Sequence, residues 1–283
     1  MKKLSKLIAI SLCILMMTVL FTGCSKKEQE QINFFNYGEN IDDETIKEFE
    51  KTYNIKVNME TFDDMEAMYQ KINSGAGKYD VVLVSDALMP RMIEKGLVQK
   101  LNKDNIPNIS QMDKQYLDLD IDPGNQYSVP YMFGTVGLIY NKDVVKEKVD
   151  SWDILWDEKY KDQIFMFDTY RDTIGVALKK LGYSLNSTNK DEINEAKELL
   201  LKQRKLVNPI YGVDNGTTMI PAGETNINMI WSGEGLNLQA EYPNLVYVVP
   251  KEGANFWIDS LCIPSNAKNV SGAEKFINFV SDK

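Results

Sequence analysis

Asp80-Val81-Val82-Leu83-Val84-Ser85 is an apolar run held between polar residues. Such a run reads as a strand buried on both faces, the type found in parallel sheets. Upstream, the hydrophobic period alternates. Met65 to Asn73 has helical spacing, while Ile55-Lys56-Val57-Asn58-Met59-Glu60 alternates as a half-buried strand. Asp42 to Tyr53 is predicted as a helix, with Asp42 or Asp43 as its N-cap and Ile46 and Phe49 at helical spacing. Ile32-Asn33-Phe34-Phe35-Asn36-Tyr37 is a further short strand, ending in Gly38-Glu39-Asn40. Downstream, Asp86 to Lys95 is predicted as a helix. Strands alternating with helices in this way imply an α/β fold, with a parallel sheet covered on both faces. Ligands of such sheets bind beyond the carboxyl ends of the strands. Those ends here are Tyr37–Asn40 and Ser85–Asp86.

The remainder of the chain changes character at Tyr127-Ser128-Val129-Pro130-Tyr131-Met132-Phe133-Gly134, which is extended and aromatic, before a new strand over Thr135 to Asn141. This reads as a first crossing into a second lobe. That lobe begins with Trp152 to Tyr160 and the strand Ile164–Phe167. Asp168-Thr169-Tyr170-Arg171-Asp172 then opens a helix running through Gly182. A helix over Lys190 to Leu206 follows. The strand Ile227–Trp231 ends in Ser232-Gly233-Glu234-Gly235 and leads into a helix, and Leu245 to Val249 is another strand. Pro250 to Gly253 carries the chain back, and Gly272 to Val280 is a final helix. Two crossings predict a two-lobed protein with a ligand cleft between the lobes. Lobe 1 is expected over 32–134 plus 250–283 and lobe 2 over 135–249. Closure of such a cleft would use the two crossing segments as hinges.

The amino terminus follows a different logic. Lys2, Lys3 and Lys6 precede an uncharged apolar run from Leu7 to Phe21. About fifteen such residues suit a secretory signal better than a membrane span, which needs about 20. Phe21-Thr22-Gly23-Cys24 resembles the lipobox of bacterial lipoproteins, with Phe21 bulkier than the usual Leu. The resemblance implies a signal peptide over 1–23 and lipidation of Cys24. Residues 24–31 would then be a lipidated polar tether, and the folded part would sit outside the cytoplasmic membrane, anchored to it. An uncleaved anchor is the alternative.

With residues 1–23 removed, 29 Lys+Arg face 41 Asp+Glu, a net −12. A surface this acidic disfavours nucleic acid and anionic lipid headgroups as partners and is compatible with cations. Cys13 leaves with the signal and Cys24 carries lipid, so Cys262 has no intramolecular disulfide partner. The chain contains no His, which removes the commonest general base and any His-ligated metal site.

One further stretch points to a ligand. In Phe256-Trp257-Ile258-Asp259-Ser260-Leu261 the Trp and the Asp are two residues apart on a short strand, so both project from one face. A flat apolar wall beside a fixed negative charge suits an organic cation: the ring covers methylenes or meets the ammonium, and the carboxylate accepts charged N–H donors. A core Trp next to a turn-capping Asp is the plainer reading of the same residues.

Taken in order, several segments resemble the polyamine (spermidine/putrescine) substrate-binding proteins of ABC importers, over essentially all of 32–283. They are Asn36-Tyr37-Gly38-Glu39-Asn40-Ile41-Asp42, Tyr79-Asp80-Val81-Val82, Tyr127–Tyr131, Ala177–Asn186, Met229-Ile230-Trp231-Ser232-Gly233 and Phe256–Leu261. The resemblance implies a two-lobed periplasmic-binding-protein fold that traps its ligand and catalyses nothing. It implies a polyamine ligand, an ABC permease as partner, no cofactor, no metal site and a monomer. Carried over residue by residue, it places Trp257 and Asp259 on the family's aromatic wall and central carboxylate. Trp231 falls on the opposing ring, Ser85 on a polar contact, and Asp172 on the acid that takes a terminal amine.

Tyr37 stands where many members have Trp, Asn40 where the usual residue is Tyr, and Ala87 replaces another frequent Tyr. Thr169 occupies a usual Asp, with Asp168 just before it. Glu39 completes the implied ligand set. Ser85 also reads as a helix N-cap, and Asp86 and Asp168 as helix-start residues. Trp152 and Trp156 read as packing. In the family, further helical sequence with additional ligand contacts follows the last helix, beyond Lys283. The same scaffold holding a different small solute is the alternative function. A two-carboxylate glycosidase is a more distant one.

Overall fold

The alternation of apolar periods from Gln31 to Glu94 is realised as alternating strands and helices in the computed structural model, which describes residues 29–38 and 40–282. The signal peptide, Cys24, most of the tether and Glu39 lie outside the described residues. The elements begin with β1 (Gln31–Tyr37), α1 (Asp43–Tyr53), β2 (Lys56–Phe62), α2 (Met65–Asn73), β3 (Val81–Ser85) and α3 (Met89–Glu94). After short 3-10 turns come β4 (Ser128–Asn141), β5 (Ile164–Phe167), α4 (Tyr170–Lys180), α5 (Lys190–Val207) and β6 (Ile210–Gly212). The chain closes with α6 (Gly216–Met219), β7 (Ile227–Trp231), α7 (Ser232–Glu241), β8 (Leu245–Val248), β9 (Phe256–Cys262) and α8 (Val270–Val280). Among the described residues no helix is long and apolar enough to cross a membrane.

Two compact units result. The first holds the described residues up to Val82, Leu97–Gln111 and those from Ile263 onward; the second holds Leu83–Gly96 and Met112–Cys262. In the first unit β1 lies between β2 and β3, parallel to both, with Phe34 opposite Met59 on one side and Val81 on the other. Its core is aromatic. Phe276 of α8 sits 5.1 Å from the rings of both Phe34 and Phe49. Asp42, one of the two caps the sequence offered, caps α1 by accepting the Thr45 N–H at 2.7 Å. Asp80 is buried and accepts the backbone N–H groups of Asn33, Lys268 and Asn269. It thereby ties the loop before α8 to the start of the first sheet.

The second unit is organised by β4. Sequence punctuation at Pro130 and Gly134 suggests an extended segment followed by a separate strand, but β4 runs unbroken for 14 residues. Residues 128–135 pair antiparallel with β9, and residues 136–141 pair antiparallel with β7 and β8. The register slips between Pro130 and Met132, where a proline without an N–H fits an irregular ladder. β5 lies parallel between β6 and β7. The core beneath includes Trp152, Tyr160, Phe165 and Phe167, all buried. Trp152 donates its indole N–H to the Gly253 carbonyl at 2.9 Å, and Trp156 donates to the Leu199 carbonyl at 3.2 Å. Both are packing residues, in 3-10 turns rather than a regular helix.

The predicted helix over Asp86 to Lys95 is shorter than expected. Only Met89–Glu94 is helical, with Pro90 in its first turn and Leu88 rather than Ser85 at its N-cap. The Asp86 N–H is committed to the Ile258 carbonyl at 2.9 Å. Residues 85–88 therefore turn before the helix begins.

Candidate functional site

β9 supplies the first two groups. Trp257 pairs with Gly134 of β4 and Asp259 with Met132, so the two side chains share a face as the alternation requires. Gly134 explains itself here: a Cβ at that position would lie 2.5 Å from the Trp257 ring and 2.7 Å from the Ser232 hydroxyl. The glycine lets the indole lie against the strand. Trp257 packs on the main core of the second unit. Its indole N–H is buried with no acceptor among the described residues, so packing alone holds the ring.

Asp259 is only 7% exposed, and its carboxylate accepts no hydrogen bond from the described residues. Burial, with the nearby Asp86 charge added, pushes its pKa up to about 7. An ionised carboxylate in such a place is costly unless a cation or donors compensate it.

α4 supplies the third group. Asp172 is also 7% exposed, but unlike Asp259 it is well held. It accepts hydrogen bonds from the Thr169 hydroxyl at 2.8 Å and from the Asn255 amide at 2.9 Å, and the Trp231 side chain adds another. Burial still raises its pKa, against the opposing pull of Thr169, Asn255, the Arg171 charge and Trp231. Trp231 ends β7 and stacks on Phe167 with ring centroids 4.5 Å apart, leaving the indole half-buried. Arg171 donates to the Leu185 carbonyl at 3.2 Å and to the Asn186 side chain at 2.6 Å.

Asp86, half-buried, follows β3. Its pKa is also raised, by burial first and in part by the Asp172 charge, while Arg171 opposes the shift. Asp86, Asp172 and Asp259 therefore share one electrostatic neighbourhood in the second unit, with Arg171 as its cation. Among the described residues no group of three acidic or Cys side chains is arranged to hold a metal ion.

Of the residues singled out from sequence, Thr169, Asp172, Trp231, Trp257 and Asp259 fall in this neighbourhood, and Ser85 is half-buried immediately before Asp86. Asp168 stands apart from these acids. It is exposed, its N–H goes to the Gly212 carbonyl, and its charge acts on Tyr211. Tyr37 and Asn40 belong to the first unit, where the Tyr37 ring meets Phe62 edge-on at 5.6 Å. Sequence reasoning passed over Asn255 and Phe167, which anchor Asp172 and Trp231. Asn255 lies two residues before Trp257, a spacing that could have flagged it.

The model of the bacterial extracellular solute-binding protein family matches residues 44–283. The chain belongs to that family, whose members share the periplasmic-binding-protein fold. Among its relatives, the spermidine/putrescine-binding periplasmic protein of Salmonella typhimurium is 36% identical over 255 residues, 89% of this chain and 73% of that protein. The putrescine-binding periplasmic protein SpuD of Pseudomonas aeruginosa is 32% identical over 273 residues, 89% of this chain and 74% of that protein. Among solved structures, the spermidine/putrescine ABC transporter substrate-binding protein of Streptococcus pneumoniae matches with a TM-score of 0.77. It is 35% identical, over 89% of this chain and 78% of that one. A lipoprotein of Treponema pallidum matches with a TM-score of 0.83 and 27% identity, over 89% of this chain.

Proposed function

We propose that this protein captures a polyamine outside the cytoplasmic membrane and delivers it to the permease of an ABC importer. The observation that carries the reading is Asp259: a buried carboxylate that accepts no hydrogen bond from the described residues, on the same strand face as a Trp. An ammonium group supplies both the missing charge and the missing donors. Asp172 takes a second amine, and Trp231 and Trp257 cover the methylenes between. The relatives named for spermidine and putrescine support the same ligand class.

Ser85, Thr169, Tyr37, Asn40 and Glu39 complete the ligand set in this reading, with Asp168 at its margin. The protein acts as a monomer. Its two lobes in this reading are 32–134 plus 250–283 and 135–249. Cys24 carries the lipid that anchors it after cleavage of residues 1–23, which the Treponema pallidum lipoprotein among its structural neighbours supports. In membrane fractions of cells producing the full chain, Cys24→Ser should move the protein to the soluble fraction; retention in the membrane would argue against the lipid anchor.

Calorimetric titration with putrescine and spermidine tests the ligand class. Saturable binding to one or both, and none to a neutral sugar or a carboxylate anion, is the expected result. Binding of the sugar or the anion alone would assign the scaffold to a different solute.

A further inference from the structure

Asp86 reads from sequence as a helix-start residue, yet α3 begins only at Met89 and Asp86 caps none of its first turn. Its own N–H is bonded to the carbonyl of Ile258, the residue before Asp259. That bond fixes the backbone of Asp86 against β9, and its charge is the one that acts on Asp259. The neighbouring Ala87 contributes only a methyl group, so no bulky side chain follows it.

We propose that Asp86 and Asp259 form a single two-carboxylate seat for one ammonium group of the ligand, and that the empty seat holds a proton which the ammonium displaces. The inference rests on the polyamine reading. Two observations beyond the acids themselves support it. Asp259 is more than nine-tenths buried and has no hydrogen-bond partner among the described residues, which leaves its carboxylate open to a donor from a ligand. The nearby Arg171 has its guanidinium engaged by Leu185 and Asn186 and is aligned electrostatically with Asp86 and Asp172 rather than with Asp259.

An ammonium carries three N–H donors and can serve both carboxylates at once. Without it, two interacting like charges, one buried and one half-buried, are relieved most simply by a proton on one of them. The groups that face the seat are Asp172 and Arg171 from α4, with the uncharged Met132 of β4 across from Asp259. Burial raises both Asp86 and Asp259, and each also feels a neighbouring carboxylate. The balance is simple: the ligand amine arrives protonated and stays so, and the displaced proton passes to the buffer.

The test is titration of the wild type and Asp86→Asn with putrescine at pH 6.5, in two buffers of different ionisation heat, and again at pH 8. Wild type is expected to release a substantial fraction of a proton per ligand at pH 6.5 and less at pH 8. Asp86→Asn should release clearly less and bind about fivefold or more weakly at both pH values. Asp86→Ser, compared by thermal melting, guards against a folding defect in the first variant. Wild-type affinity and proton release in both variants would overturn the seat while leaving polyamine capture standing. Failure of the wild type to bind any polyamine would remove both.

Discussion

Asp259 is a buried carboxyl group that accepts no hydrogen bond from the described residues. Its carboxyl is raised to about 7 by burial and by Asp86, whereas in an unfolded chain an Asp titrates near 3.9. Between those values the folded state keeps a proton that the unfolded state has lost. This contribution to stability is present at low pH and is lost as pH rises through about 7. A shift of that size corresponds to roughly 4 kcal/mol. Burial raises Asp86 and Asp172 in the same direction. Chemical denaturation of the ligand-free protein should therefore show lower stability at pH 8 than at pH 5, and Asp259→Asn should flatten that slope. An unchanged slope in the variant would mean that Asp259 ionises freely. The Trp257–Asp259 pair was legible in the sequence because strand alternation fixes two residues i and i+2 on one face. Asp86 was left open between two readings, because an acid before a helix looks the same whether it caps the helix or meets a ligand.

At the scale of elements, the site depends on how closely β4 and β9 approach. Gly134 is the point of contact, and a methyl there would meet the Trp257 ring and the Ser232 hydroxyl, which accepts the Thr135 N–H. Gly134→Ala should displace the indole and weaken polyamine affinity about tenfold, with the β4–β9 ladder retained by circular dichroism. Full affinity would mean that Trp257 is not a wall of the site. The β-α-β-α-β pattern of the first eighty residues was readable because the hydrophobic period changes at every boundary. The continuity of β4 was hidden by Pro130 and Gly134, which mark breaks in most strands. Here one sits at a register slip and the other accommodates a ring. The turn over 85–88 was hidden as well: the bonds from Asp86 N–H to Ile258, from Leu88 N–H to Ser85 and from Ala87 N–H to the Asp86 carboxylate hold it out of the helix.

For the whole molecule, membership of the extracellular solute-binding protein family places the chain among binding proteins rather than enzymes. The family was legible in the order of several moderately specific segments rather than in any single one. The acids and rings of the neighbourhood come from the turn after β3, α4, β7 and β9, so no local pattern could have assembled them. Much of the neighbourhood lies within the second unit, which is why Asp172, Trp231, Trp257 and Asp259 can be described together while Tyr37 and Asn40 belong to the first. The most direct test is calorimetric titration of putrescine and spermidine into the wild type and into Asp259→Ala at pH 7.5. Saturable binding to the wild type, weakened at least about tenfold in the variant, is the predicted result. Equal affinity in the two proteins would contradict the claim that this buried carboxylate receives the ligand's charge.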